Sequence, residues 1–124
     1  MPRWMDQAFR AVTHLGGTGS TVGLALLCTV IPATRSLGLT LTLAHVLSHA
    51  SVQLLKRTVV RGRPASRRGL PEPLTAPPDA YSFPSGHSCA SLTTALVLTS
   101  AAPSLGVPFL LLALTVGFSR IYLR

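Results

Sequence analysis

Charge is what this chain has least of. Eleven Lys or Arg and three Asp or Glu make up 11% of 124 residues, while hydrophobic types make up 48%. A soluble domain usually carries about 25% charged residues. The composition therefore excludes an ordinary water-facing globular surface. Cysteine is scarcer still. Cys28 and Cys89 form no CxxC and no Cys/His ligand spacing, and both read as buried free thiols in apolar stretches. Proline and glycine, ten each, are too few for low-complexity disorder to explain the missing charge. The length allows one domain, and no internal repeat is present.

The placement of the charges gives the missing charge a meaning. Residues 11–34, 36–55 and 80–119 contain no Asp, Glu, Lys or Arg. A bilayer core of roughly 30 Å takes about 20 helical residues to cross. The first two runs fit one crossing each. The third fits two, broken at Pro103 and Pro108. The expected fold is an all-α membrane bundle of about four transmembrane helices, near 15–34, 36–55, 85–102 and 104–122. The first span is the weakest, because it opens on Gly16-Gly17-Thr18-Gly19 and could be interfacial or re-entrant. That glycine run lacks the spacing of a dinucleotide loop and reads as a flexible helix start. Residues 1–10 do not form a signal peptide, since no small-residue cleavage site follows. Trp4 and Phe9 read as interfacial anchors, and His14 as an interfacial residue.

Eight of the fourteen charges lie in residues 56–79. Lys56, Arg57, Arg61, Arg63, Arg67 and Arg68 carry the positive charge, with no acid before Glu72 and Asp79. Those two acids read as solvated loop charges in a Pro-rich stretch. A basic block pinned between two spans is a poor nucleic-acid module. It can hold anionic headgroups, or it can be a phosphate site.

Pro84-Ser85-Gly86-His87 opens the third span. Ser85 is a natural N-cap, and the N–H groups of a first turn point out of the helix end. With the helix dipole they can receive a phosphate, which Gly86 would let come close. His87 stands at the mouth of that end, with chemistry suited to proton transfer near neutral pH. The plain alternative is a Pro-Ser helix start with an incidental histidine. Lys56 and Arg63 could neutralise a phosphoryl group at the same place, and Arg120 offers a third cation.

These patches fit the motifs of a known family. Residues 56–64, KRTVVRGRP, match Lys-x6-Arg-Pro, ending on Pro64. PSGH at 84–87 is the second motif, in the context DAYSFPSGHS. Ser119-Arg120 opens the third, Ser-Arg-x5-His-x3-Asp. The chain resembles the type 2 phosphatidic acid phosphatase superfamily, which includes lipid phosphatases, undecaprenyl pyrophosphate phosphatases and vanadium haloperoxidases. The resemblance implies a six-helix-type bundle of which this is the N-terminal part, with a catalytic loop at 56–84. It implies hydrolysis of a lipid phosphate or polyprenyl pyrophosphate through a phosphohistidine, with no metal and no cofactor. Lys56, Arg63 and Arg120 would hold the phosphoryl oxygens, with Ser85 and Gly86 adding hydrogen bonds. His87 would act as general acid, and Pro64, Pro84 and Ser119 would support the motifs. The nucleophilic His and its Asp would fall at positions 126 and 130, past Arg124. The expectation is thus a single incomplete phosphatase domain, 1–124, inactive as it stands.

Other readings stay open. A vanadate-dependent haloperoxidase shares the anion site, but four uncharged spans argue against a soluble relative. A non-enzymatic protein binding anionic lipid through its basic loop is the second. His45 and His49 share a helix face with Gln53 and Lys56. Interior hydrogen bonding suits that polar stripe better than a metal, for which no third ligand stands nearby. The expected setting is a bacterial cell membrane, with membrane lipids as partners and no nucleic acid.

Overall fold

The computed structural model describes residues 2–59 and 83–123. Every element among the described residues is helical. They are α1 (Arg3–Thr13), α2 (Thr18–Val30), α3 (Arg35–Val59), α4 (Gly86–Ala101) and α5 (Gly106–Leu123). Single 3-10 turns lie at His14–Gly16, Pro32–Thr34 and Pro103–Leu105.

Small and hydroxylated residues fill the inside. Thr21, Ala25, Ser91, Ala95, Ala113 and Ser119 are buried, whereas Leu26, Leu43, Leu47, Leu96 and Leu114 are exposed. Small side chains let helix backbones approach, and hydroxyls hydrogen-bond where no water reaches. An exterior of leucine and valine on this scale is a surface for lipid or further protein rather than for water. The α3 helix shows the pattern most clearly. Gly38, Leu41, Val52 and Lys56 turn inward at helical spacing, and leucines cover the outside.

Helix ends follow local chemistry. The last turn of α2 leaves carbonyls without helical partners. Thr34 Oγ1 donates to the Cys28 carbonyl at 2.8 Å, and Arg35 Nε to that of Thr29 at 3.2 Å. The charge that separates the first two apolar runs thus caps one helix while opening the next. At the other break, Pro103 starts a 3-10 turn and Pro108 falls in the first turn of α5. An N–H there would have no helical acceptor, so proline costs little.

The helix of the span expected at 15–34 begins later than drawn. Gly17 has extended backbone (φ −75°, ψ 160°), so α2 begins at Thr18 and has 13 residues. That is about 20 Å of helix. It is long and apolar enough only together with α1, from which it is bent by 46°. By length and composition, Pro103–Leu123 is the one helix among the described residues that could cross a bilayer by itself.

Phe9 has partners inside the protein. Its ring packs 5.6 Å from Phe118 and 4.6 Å from Tyr122, joining α1 to α5. Both ring pairs are tilted, a favourable aromatic geometry. Trp4 remains exposed.

Hydrogen bonds stitch α3 to α4. His45 Nε2 meets Thr94 Oγ1 at 3.0 Å, and Thr93 Oγ1 donates to Ser48 Oγ at 3.1 Å. His45 therefore has the interior role expected of it. His49, one turn on, stands on the exposed side. Four residues advance a helix by slightly more than a turn, which is enough to carry His49 off the buried face.

Close packing between α2 and α3 rests on Gly38. A Cβ there would collide with the backbone nitrogen, Oγ1 and Cα of Thr29. Gly38→Ala is expected to cost about 2–3 kcal/mol by overpacking, read as a lower Tm in detergent.

Candidate active site

Helix direction gathers the candidate residues. The Pro-containing turns after α2 and α4 lie at one end of the bundle, and the ends that carry the motifs lie at the other. The start of α4 meets the last turns of α5 there. A Cβ at Gly117 would lie 3.8 Å from Ser88 Oγ. Lys56, in the last turn of α3, lies within electrostatic range of Cys89 in the first turn of α4. Its side chain is only 5% exposed. A lysine is rarely so buried without a partner.

Ser85 is the N-cap of α4. Its Oγ accepts from the Ser88 N–H at 3.3 Å, and its carbonyl from the Cys89 N–H at 3.0 Å. Pro84, buried, enters the helix through a cis peptide bond from Phe83. A Cβ at Gly86 would meet nothing within 4 Å. Among the described residues, nothing crowds the helix end at Gly86. Its N–H groups and dipole favour an anion there. His87 is half-buried in the same turn.

Ser119 is fully buried, with Oγ donating to the Val116 carbonyl at 2.5 Å. Its hydroxyl is spent on its own helix, and its small size lets α5 pack closely. Arg120, half-buried, donates from Nη1 to Thr13 Oγ1 at 3.3 Å. Three sequence-distant segments therefore reach one end of the bundle. Arg63 and Pro64 lie outside the described residues, as do positions 60–82 of the expected catalytic loop, Glu72 and Asp79 included.

The sequence model of the PAP2 superfamily matches residues 33–124. The chain belongs to the PAP2 superfamily. Its fold also matches a solved structure described as the first transmembrane PAP2 type phosphatidylglycerolphosphate phosphatase from Bacillus subtilis. The TM-score is 0.75 at 25% identity over 99% of this chain. The chain spans 65% of the length of that structure. The all-helical bundle is thus the fold of transmembrane PAP2 phosphatases.

In this PAP2 chain, sequence reasoning missed part of the site. A Cβ on Gly16 would lie 2.5 Å from the His87 carbonyl oxygen and 2.9 Å from Val116 Cγ1. A Cβ on Gly17 would lie 3.7 Å from His87 Nε2. The glycine run is therefore no loose helix start. Gly16 is pressed against the second motif, where a side chain would not fit, and Gly17 lies beside it, its added Cβ tight only against the His14 carbonyl oxygen at 3.1 Å. The doublet Gly16-Gly17 was the available signal, but close approach and flexibility look alike in sequence.

A cleft of about 200 Å³ lies between α2, α4 and α5, running from Leu15 near this end to Leu98 and Phe109 toward the Pro103 turn. Leu15, Leu24, Leu98, Phe109, Leu112 and Val116 make it largely apolar. Ser91, one turn beyond His87, contributes a hydroxyl to its wall.

Proposed function

We propose that this chain forms the phosphate-binding part of an integral-membrane phosphatase acting on a lipid phosphate or polyprenyl pyrophosphate. The observation that carries the reading is the convergence of Lys56, the capped start of α4 and Arg120 at one end of an apolar bundle. In this reading Lys56, Arg63 and Arg120 neutralise the phosphoryl oxygens, and the first turn of α4 adds N–H donors at Ser85 and Gly86. Fixed donors aimed at developing charge supply most of the transition-state stabilisation. A histidine nucleophile attacks phosphorus, the phosphorus–oxygen bond to the lipid breaks, and His87 gives its proton to the departing oxygen. Water then releases phosphate from the phosphohistidine. Residues 1–124 hold no histidine at the third-motif spacing. They are therefore expected to bind phosphate without turning over.

The apolar cleft favours a substrate with a hydrocarbon tail. We assign α5 to a full crossing, α1 with α2 to a second, bent one, and α3 and α4 to the same membrane bundle, with the site at the membrane surface. The PAP2 protein of similar fold is a phosphatidylglycerolphosphate phosphatase, and that lipid shares this headgroup-and-tail chemistry.

The test uses the 124-residue chain in nanodiscs. Orthovanadate should bind saturably at one site, with alkyl monophosphates competing more strongly as the chain lengthens from methyl to dodecyl. Each methylene that leaves water adds about 0.8 kcal/mol at most. No steady-state phosphate release should follow. Vanadate uptake that never saturates would mean a basic surface adsorbing anions, and would overturn the reading. Turnover abolished by His87→Ala would show that the third-motif histidine is not required.

A further inference from the structure

We infer that the N-terminal segment, which lies outside the residues matched by the family model, is part of the phosphate site, and that Thr13 is a positioning residue for Arg120. The inference rests on the phosphate-site reading above.

One face of α1 is committed to the end of α5. Asp6, Phe9 and Thr13 recur at helical spacing and share that face. Asp6 Oδ1 accepts from the Tyr122 hydroxyl at 2.7 Å. Phe9 packs on Phe118 and Tyr122. Thr13, 3% exposed, accepts from Arg120 Nη1 through Oγ1 at 3.3 Å. The aromatic residues two places before and after Arg120 are thus both held by the helix that also contacts its guanidinium. Immediately after Thr13 the chain folds onto the second motif, with Gly16 against the His87 carbonyl and Gly17 beside His87 Nε2, 3.7 Å from where its Cβ would stand. Residues 13–17 therefore touch both the third-motif cation and the second-motif histidine.

The chemistry follows from the arginine. Its long side chain has many rotamers, and its planar fork holds a phosphate well only when the plane is set. A buried hydroxyl that accepts one N–H fixes that plane before the ligand arrives. Preorganisation of this kind appears as affinity.

Two readouts on the 124-residue chain in nanodiscs test this. Thr13→Val keeps the shape and removes the acceptor. It should weaken vanadate binding about tenfold, the worth of one charge-assisted hydrogen bond. Its Tm should stay within a few degrees of the parent, and Thr13→Ser should restore affinity. The second readout needs no ligand. The 15N-labelled Arg120 guanidinium should give resolved Nη signals in the parent and in Thr13→Ser, and averaged signals in Thr13→Val. Should Thr13→Val fail to fold, Thr13→Ala takes its place with the same expectations. Unchanged affinity, unchanged guanidinium signals or a serine variant that does not rescue would each overturn the assignment. A parent chain that binds no vanadate would defeat the phosphate-site reading, while the guanidinium signals would still decide whether Thr13 holds Arg120.

Discussion

Lys56→Met should weaken vanadate and phosphate binding by at least about 100-fold, equivalent to ~2.8 kcal/mol. Lys56 is 5% exposed, at the end of α3 and close to the first turn of α4. A charge in such a place acts through a lower effective dielectric than a surface lysine, so its pull on a phosphoryl group is large. Methionine has nearly the same length and suits the apolar surroundings. Removing one member of a buried polar pair is destabilising, by about 3–5 kcal/mol. Tm should therefore fall as well, and the binding loss is read on folded protein below the variant's melting range. A variant that binds vanadate within threefold of the parent would remove Lys56 from the site. Lys56→Arg should not restore full affinity, because a planar fork cannot replace a compact ammonium in a closed space.

The parts of this molecule that were legible in the sequence are those set by local chemistry. Uncharged runs announced a helical bundle with an apolar exterior. Ser85 announced an N-cap, because a serine after proline and before a helical run satisfies the first-turn donors whatever surrounds it. His45 announced an interior hydrogen bond, because a polar group inside an apolar bundle must find a partner. Motif spacing placed Lys56, His87 and Arg120 at helix ends, and antiparallel packing brought those ends together.

What stayed hidden depends on contacts far apart along the chain. The Arg120–Thr13 bond spans 107 residues and the Tyr122–Asp6 bond 116. No periodicity encodes such pairs. Phe9 read as an interfacial anchor because its partners, Phe118 and Tyr122, come from the far end of the sequence. The helix of the first span begins later than drawn because apolar character continues through Gly17, and only the backbone of that residue shows that α2 has not yet begun. His49 was grouped with His45 because they share a face, but a buried seam is narrower than a face.

Gly16→Ala carries the sharpest structural consequence. The added Cβ would stand 2.5 Å from the His87 carbonyl oxygen and 2.9 Å from Val116 Cγ1. The oxygen belongs to the backbone of the first turn of α4 and cannot step aside as a side-chain tip could. The 3-10 turn at His14–Gly16 must lift instead. That movement takes Gly17 away from the His87 ring and Thr13 away from Arg120. The expected loss of stability is about 2–3 kcal/mol, typical of overpacking. Vanadate binding should fall about tenfold or more, because two groups of the site move together. Gly19→Ala supplies the contrast. A Cβ there meets nothing within 4 Å, and the residue lies in the first turn of α2. Alanine should then raise stability by up to about 1 kcal/mol through helix propensity and a less flexible unfolded chain. Thermal melts and vanadate titrations of the two variants separate the readings. A glycine run that served only flexibility would respond alike at both positions, whereas one that lets the chain press against His87 must fail at Gly16 and tolerate alanine at Gly19.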